Sequence, residues 1–113
     1  MIKRFVTISA DFVGFHRWQD APEEEAFLRN LHRHIFKVKV TFAVEHNDRN
    51  IEFFHKKKRL LGELARIEIF LRGEDGLSCE EIAETLMRKM KAVRVIVSED
   101  GENEAELVET DLI

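Results

Sequence analysis

One segment of the chain alternates between apolar and polar side chains more clearly than any other, and it constrains the fold. From His32 to Val44, the even positions hold two histidines and then only apolar residues: His32, His34, Phe36, Val38, Val40, Phe42 and Val44. The odd positions are largely polar. Because successive side chains of a strand point to opposite faces, we predict a long strand with one buried face. This pattern is typical of an antiparallel sheet that is solvated on one side.

A second alternating segment lies at the start of the chain. One phase is apolar apart from Arg4, and its members are Ile2, Val6, Ile8, Ala10 and Phe12. The same phase continues through Gly14 to His16. We predict a second half-buried strand here. If the two strands pair as an antiparallel hairpin, the end of the first meets the start of the second, and His16 lies beside His32 and His34.

The connection between the two strands, residues 17–31, is long for a hairpin. Long ordered loops tend to carry function. Within this connection, Pro22 precedes three consecutive glutamates at positions 23–25. Proline near the first helical position, with acids in the first turn, predicts the start of a helix, which we place at residues 23–29.

The middle of the chain is less regular. We predict a short strand at Ile51–Phe54, a helix at Phe54–Ala65, and a strand at Arg66–Leu71, where apolar and polar residues alternate. Residues 73–76 contain two glycines and two acids, and they are predicted to form a loop.

The last third of the chain predicts a helix and a hairpin. Ser78 and Glu81 have the spacing of a capping box, so a helix is expected to begin there. Apolar residues recur along it at four-residue intervals: Ile82, Leu86 and Met90. Two strands, at Val93–Ser98 and Ala105–Val108, flank a turn at residues 100–101. The order ββ-αα-ββ predicts an α+β fold with an antiparallel sheet and helices on one face.

Size and charge restrict the class of protein. The 113 residues suggest one domain, 1–113. A composition of 44% hydrophobic and 35% charged residues is typical of a soluble globular protein. The net charge of −4 argues against a nucleic-acid partner. One basic run, Lys56–Arg59, is either a solvated helix face or a contact for an anion.

Cysteine use and hydropathy bear on location. Cys79 is the only cysteine, so no disulfide can form within the chain. No apolar run approaches the roughly 20 residues of a membrane span, and the N-terminus does not look like a signal peptide. We therefore expect a reducing, cytoplasmic location and no membrane partner.

Three histidines, His16, His32 and His34, are the candidate metal ligands. His32 and His34 are two apart on a strand, so their side chains point the same way, about 7 Å apart along it. Imidazoles at that spacing can reach one Zn²⁺ ion with Zn–N distances of about 2.0–2.1 Å. Three neutral nitrogen ligands leave a fourth position for water or a substrate. The alternative is that these histidines are hydrogen-bonded side chains at the edge of the core.

Four segments of the chain resemble those of one protein family. Gly14–Arg17 resembles the family's first histidine after strand one, and Leu31–Val38 resembles its His-Gly-His at the start of strand two, with Arg33 replacing the glycine. Ser78–Ala83 looks like its Pro-Thr-x-Glu-Asn-Leu-Ala helix start, and Val93–Glu99 looks like the strand that ends in its pterin-binding glutamate. The chain thus resembles the 6-pyruvoyltetrahydropterin synthase and 6-carboxytetrahydropterin synthase family.

The resemblance implies a tunnelling fold, or T-fold, whose sheets assemble into barrels as homo-oligomers, commonly trimers stacked into hexamers, with active sites between subunits. It implies Zn²⁺ held by the three histidines. It also implies that Glu99 anchors a pterin ring, since a carboxylate can accept two N–H bonds from a guanidine-like edge. The implied activity is a zinc-dependent, lyase-like reaction on dihydroneopterin triphosphate or a related purine-derived heterocycle.

The chain departs from the family at its catalytic residues. Leu28 stands where the family has its catalytic cysteine, and leucine can neither take nor give a proton. The family's later Leu-Asp-His element is not recognisable, because residues 60–71 contain no aspartate and no histidine. The alternative to an enzyme is therefore a non-catalytic protein that binds zinc and a heterocycle, or an oligomeric assembly module.

Other residues are candidates for the missing roles. Those that could transfer protons are Glu23, Glu24, Glu25, His46, His55 and Cys79, the last at a helix N-terminus where a thiolate is favoured. Asp11 and Asp20 could orient a ligand histidine. Each has an ordinary structural explanation as well: acids at a helix start, surface side chains, or a small core residue in the case of Cys79.

Overall fold

A computed structural model describes residues 1–73 and 76–112, so part of the predicted loop at residues 73–76 lies outside the described residues. The main elements, in chain order, are β1 (Arg4–His16), β2 (His32–Val44), α1 (Phe53–Leu71), α2 (Cys79–Met90), β3 (Arg94–Glu99) and β4 (Asn103–Val108). Two short 3-10 helices lie at Glu23–Arg29 and Thr110–Leu112. The first of them has the predicted bounds.

The four strands form one antiparallel sheet in the order β1-β2-β3-β4. The first two strands pair along their whole length, and His16 lies directly opposite His32. Strand β3 pairs with β2 only from Thr41 to Phe36, which faces Glu99. The histidine end of the β1–β2 hairpin therefore extends beyond β3, and the α+β antiparallel fold predicted from the sequence is confirmed.

The core lies between one face of this sheet and the two helices. The even phases of β1 and β2 supply buried residues, as predicted, and β3 adds Val95 and Val97. Helix α1 buries Leu60, Leu64, Ile67 and Leu71, and α2 buries Cys79, Ile82, Ala83, Leu86 and Met90. These side chains belong to one apolar cluster, so both helices cover the same face of the sheet.

Helix α2 begins as the sequence predicts. The Ser78 hydroxyl accepts a hydrogen bond from the backbone N–H of Glu81 at 3.1 Å. The Glu81 carboxylate accepts one from the backbone N–H of Ser78 at 2.9 Å. This reciprocal pair satisfies two N–H groups that the first turn leaves without helical partners. It places Cys79 at the first helical position.

The sequence prediction for residues 51–71 is wrong at both ends. No strand forms at Ile51–Phe54. Helix α1 begins at Phe53, and the Glu52 carboxylate caps it by accepting from the N–H groups of residues 54 and 55. It also runs through Arg66–Leu71, where a strand was predicted. The buried positions 60, 64, 67 and 71 recur at intervals of three and four, which is a helical stripe. The six residues from Arg66 to Leu71 are too short a segment to show this helical period by themselves.

Gly62 gives a direct test of this long helix. It lies on the exposed side of α1, and a Cβ added there meets nothing within 4 Å. Glycine inside a helix is less stable than alanine by about 0.5–1 kcal/mol, because it loses more backbone entropy. We expect Gly62→Ala to raise the free energy of unfolding by that amount, measured by urea denaturation. A decrease in stability would contradict a continuous helix at this position.

Gly14 lets the sheet approach α1 near the histidines. It lies opposite His34 in the β1–β2 register. A Cβ at this position would lie 2.8 Å from the Phe36 ring and 2.9 Å from a Leu71 methyl group. The absence of a side chain therefore allows Phe36 and Leu71 to pack directly beneath the histidine end of the hairpin.

Among the helices of the described residues, none is both long enough and apolar enough to span a membrane.

Candidate metal site

The three predicted histidines converge at the open end of the β1–β2 hairpin. Their ring centroids form a triangle, with His16 lying 4.6 Å from His32 and 5.3 Å from His34, and 5.0 Å between the latter two. One ring nitrogen from each lies within 4.8 Å of the other two. The strand register explains this arrangement, because His16 is paired with His32 and the side chain of His34 points to the same face.

Each imidazole is fixed by a hydrogen bond from its Nδ1 atom. His16 donates to the carbonyl oxygen of Leu77 at 2.9 Å, and His32 donates to that of Asn30 at 2.8 Å. His34 donates to the Asp100 carboxylate at 2.7 Å. These acceptors cannot donate, so the shared proton in each case belongs to Nδ1. The lone pair of each neutral ring is then on Nε2, which suits metal ligation.

The Nε2 atoms of His16 and His34 are buried and have no hydrogen-bond partner among the described residues. A buried polar atom without a partner is unfavourable, so such atoms call for an explanation. A metal ion between the rings would supply one. Burial also lowers the pKa of His16 below the usual value of 6.5, although the hydrogen bond to Leu77 opposes this. His16 is therefore neutral at pH 7, as a ligand must be. The donor set fits Zn²⁺.

Asp100 accepts a hydrogen bond from His34 and orients this candidate ligand, the role that the sequence analysis proposed for Asp11 or Asp20. Asp11 lies opposite Lys37 on the exposed face of the sheet. One Asp100 oxygen accepts from the Ile35 N–H at 2.8 Å, and the other accepts from His34. These two donors lower the pKa of Asp100, the backbone N–H having the larger effect. The turn at residues 100–101 was recognised in the sequence, but its proximity to His34 was not.

We expect Asp100→Ala to weaken zinc binding about 10- to 100-fold, the usual effect of removing a group that orients a metal-bound histidine. The His34 ring would lose its fixed orientation and the hydrogen bond that favours the Nδ1–H tautomer. The measurement is a competition titration of metal-free, untagged protein against a chromophoric chelator. Asp111→Ala, at an exposed aspartate in the C-terminal 3-10 helix, is the control. Equal affinities of the two variants would contradict the role of Asp100.

A cleft of about 380 Å³ opens beside the histidines. It is lined by residues of the β1–β2 connection, the start of α2 and the end of β3: His16, Arg17, Trp18, Leu28, His32, Leu77, Ser78, Cys79, Glu80, Glu81 and Glu99. Such a volume is within the range of small-molecule sites. Glu99, which the resemblance implies is the pterin anchor, therefore lies in the same cleft as two of the candidate ligands. The Nε atom of Arg17 is buried and lacks a partner in the described part of the chain.

The Cys79 side chain has the properties of a buried thiol. It is 8% exposed, and its Sγ donates to a Glu99 oxygen at 3.6 Å. Burial, together with the negative charge and hydrogen bond of Glu99, raises the pKa of Cys79 to about 12. The thiolate expected at a helix N-terminus is therefore not favoured. The alternative from the sequence, a small core residue, describes this position better.

The other proton-transfer candidates lie away from the cleft lining. Glu23, Glu24 and Glu25 are on the 3-10 helix of the β1–β2 connection, and none is among the residues that line the cleft. His46 follows the far end of β2, and His55 is in the first turn of α1. Glu80, which the sequence analysis did not single out, does line the cleft. Leu28 also lines it, so the position that lacks the family's cysteine faces the site.

Comparison with known proteins bears on the fold. No family model and no curated protein matches the chain. The structure of Caenorhabditis elegans 6-pyruvoyl tetrahydropterin synthase is similar to this one, with a TM-score of 0.63. The alignment covers 96% of this chain and 97% of that chain at 15% sequence identity. The chain therefore has the T-fold of that synthase, as its sequence resemblance to the family implied.

Proposed function

We propose that the chain is a zinc-dependent, pterin synthase-like protein that acts on dihydroneopterin triphosphate or a related purine-derived heterocycle. The observation that carries the proposal is the triad of imidazoles whose Nδ1 atoms are all bonded to acceptors, with two buried Nε2 atoms left without partners among the described residues. The cleft beside the triad and the shared fold support a heterocyclic substrate.

His16, His32 and His34 would hold the metal, which when bound supplies a Lewis acid that polarises a carbonyl or hydroxyl oxygen of the substrate. Glu99 lies in the cleft with 30% of its side chain exposed, so its carboxylate can accept N–H bonds from a guanidine-like ring edge. Arg17 offers a cation for an anionic substituent. Glu80 is the cleft residue that we propose to test as a general base.

A second candidate function is binding without catalysis. Leu28 lines the cleft at the position where the resemblance implies a cysteine, and the Cys79 thiol is protonated at neutral pH. Neither can act as the base of a lyase reaction. On this alternative the protein binds zinc and a heterocycle, or serves as an assembly module, and it leaves the bound molecule unchanged.

The deciding experiment uses untagged protein. Its zinc content is measured by plasma mass spectrometry, and it is then incubated with dihydroneopterin triphosphate, with products followed by liquid chromatography and mass spectrometry. Triphosphate release that requires zinc and is lost in His16→Ala supports the enzyme. Binding of unaltered substrate supports the second function. Zinc-free protein that neither binds nor converts the substrate would overturn both. His46→Ala, remote from the cleft, is the matched control.

We also propose a cytoplasmic homo-oligomer, a trimer or hexamer. Strands β1 and β4 are the edges of the described sheet, and exposed edges of this kind can pair with another copy of the chain. The resemblance to the family supports the same assembly. Gel filtration with light scattering measures it, and a monomer at micromolar concentration would contradict it.

A further inference from the structure

The carboxylate of Glu99 faces the Nε2 atoms of His16 and His34, which have no hydrogen-bond partner in the described part of the chain. Its Oε2 atom lies 3.0 Å from Nε2 of His34, and its Oε1 atom lies 3.7 Å from Nε2 of His16. Despite the short distance, the His34 nitrogen forms no hydrogen bond with it or with any other described residue. The two atoms are close, but their geometry does not meet that of a hydrogen bond. The contact is therefore not a simple imidazole–carboxylate hydrogen bond.

The protonation of the rings makes this contact unusual. His16 and His34 each donate from Nδ1, to Leu77 and to Asp100, so a neutral ring presents a lone pair at Nε2. The Glu99 carboxylate also presents only lone pairs. Two acceptors that face each other at 3.0 Å repel unless a positive charge lies between them. A proton would need a direct N–H···O alignment, which is lacking, whereas a metal ion needs only that the lone pairs converge.

The distances agree with a shared metal. Ligand atoms bound tetrahedrally to zinc at about 2.0–2.2 Å are separated from one another by roughly 3.3–3.6 Å. The two nitrogen–oxygen separations, 3.0 and 3.7 Å, lie on either side of this range. The three ring nitrogens lie within 4.8 Å of one another, and each Glu99 oxygen lies near one of them, Oε2 near His34 and Oε1 near His16.

We propose that Glu99 is a fourth protein ligand, so that the resting site is a closed His₃–carboxylate set for a divalent metal such as Zn²⁺. This inference rests on the proposed metal site and deepens it. Glu99 then has two competing partners, the metal and the N–H groups of a bound heterocycle. A heterocycle whose N–H groups bind the Glu99 carboxylate would draw it away from the metal. The fourth coordination position would then be open. The site is thereby closed to other ligands until a molecule with a suitable donor edge enters the cleft.

The strand end and a neighbouring thiol fix Glu99 in this position. Glu99 is the last residue of β3, paired with Phe36 directly beneath the histidine rings. The Cys79 S–H group donates to Oε1 at 3.6 Å. The carboxylate is thus held at the site from its own strand and from helix α2.

The test compares Glu99→Gln with Glu68→Gln, which changes an exposed glutamate of α1 that does not line the cleft. Metal-free, untagged variants are titrated with Zn²⁺ against a chelator and with Co²⁺, whose visible absorption reports coordination. We expect Glu99→Gln to bind Zn²⁺ at least about 10-fold more weakly, the lower limit for groups that support a site. Its Co²⁺ absorption should also change, while Glu68→Gln matches the parent. Circular dichroism confirms that each variant folds.

The outcomes separate the two proposals. If His16→Ala abolishes binding and Glu99→Gln leaves both the affinity and the Co²⁺ spectrum unchanged, the three-histidine site stands and the fourth ligand is overturned. If the parent protein binds neither metal, the metal site and Glu99 ligation fail together. If Glu99→Gln does not fold, a crystal structure of the zinc-loaded parent identifies the ligands. A Glu99 oxygen about 2.0–2.2 Å from the zinc supports the inference, and a water molecule in that place overturns it.

Discussion

Replacing His16 with alanine is expected to abolish stoichiometric zinc binding by the purified protein. His16 is the most buried of the three histidines, at 7% exposure, and its Nε2 atom has no other partner among the described residues. Its removal takes away a proposed ligand, so the loss of affinity should exceed the roughly 10- to 100-fold caused by losing a supporting hydrogen bond. Plasma mass spectrometry of untagged protein measures the bound zinc, and chelator competition measures the affinity.

His55→Ala is the matched control for this prediction. It removes one imidazole from the first turn of α1, where the ring is exposed and outside the cleft lining. Zinc content should be unchanged in that variant. Stoichiometric zinc that persists in His16→Ala with unchanged affinity would show that the metal binds elsewhere. Circular dichroism is needed for both variants, because His16 also packs edge-on against Phe36 at 5.2 Å.

The strands and the histidine triad could be predicted because one physical rule controls them. Side chains alternate along a strand, so the position of His16 relative to His32 follows from pairing the ends of two alternating segments. Helix α1 was harder to predict. Residues 66–71 satisfy a strand pattern locally, and only the buried positions from Leu60 onward show the helical period.

The groups that orient the histidines could not be predicted, for a different reason. Two of the three acceptors are backbone carbonyls, of Leu77 and Asn30, and a carbonyl leaves no mark in the sequence. The third, Asp100, is 66 residues from His34 along the chain. The Cys79–Glu99 contact likewise joins α2 to the end of β3. Such contacts depend on how the helices and β3 pack on the hairpin, which residue periodicity does not specify.

Phe36 connects the core to the candidate metal site, and its removal should have the largest effect on stability. The ring is fully buried, stacks on Phe12 at 5.1 Å and contacts the rings of His16 and His34 at 5.2 and 5.8 Å. Truncating a buried phenylalanine to alanine removes apolar contacts and leaves a cavity, which costs about 3–5 kcal/mol. Domains are commonly stable by only about 5–15 kcal/mol, so Phe36→Ala is expected to lose a large part of that total.

Urea denaturation of the metal-free protein measures this loss, and Phe36→Leu is the control. Leucine keeps an apolar side chain and fills part of the space, so it should destabilise the fold less than alanine does. Zinc affinity should fall in the same order, because the Phe36 ring supports two of the imidazoles from below. A change of less than about 1 kcal/mol in Phe36→Ala, with an unchanged denaturant slope, would contradict the position of Phe36 in the core. Unchanged zinc affinity in a clearly destabilised variant would instead show that zinc binding does not depend on the packing of Phe36. The hydrogen bonds to Leu77, Asn30 and Asp100 would then be sufficient to hold the imidazole rings.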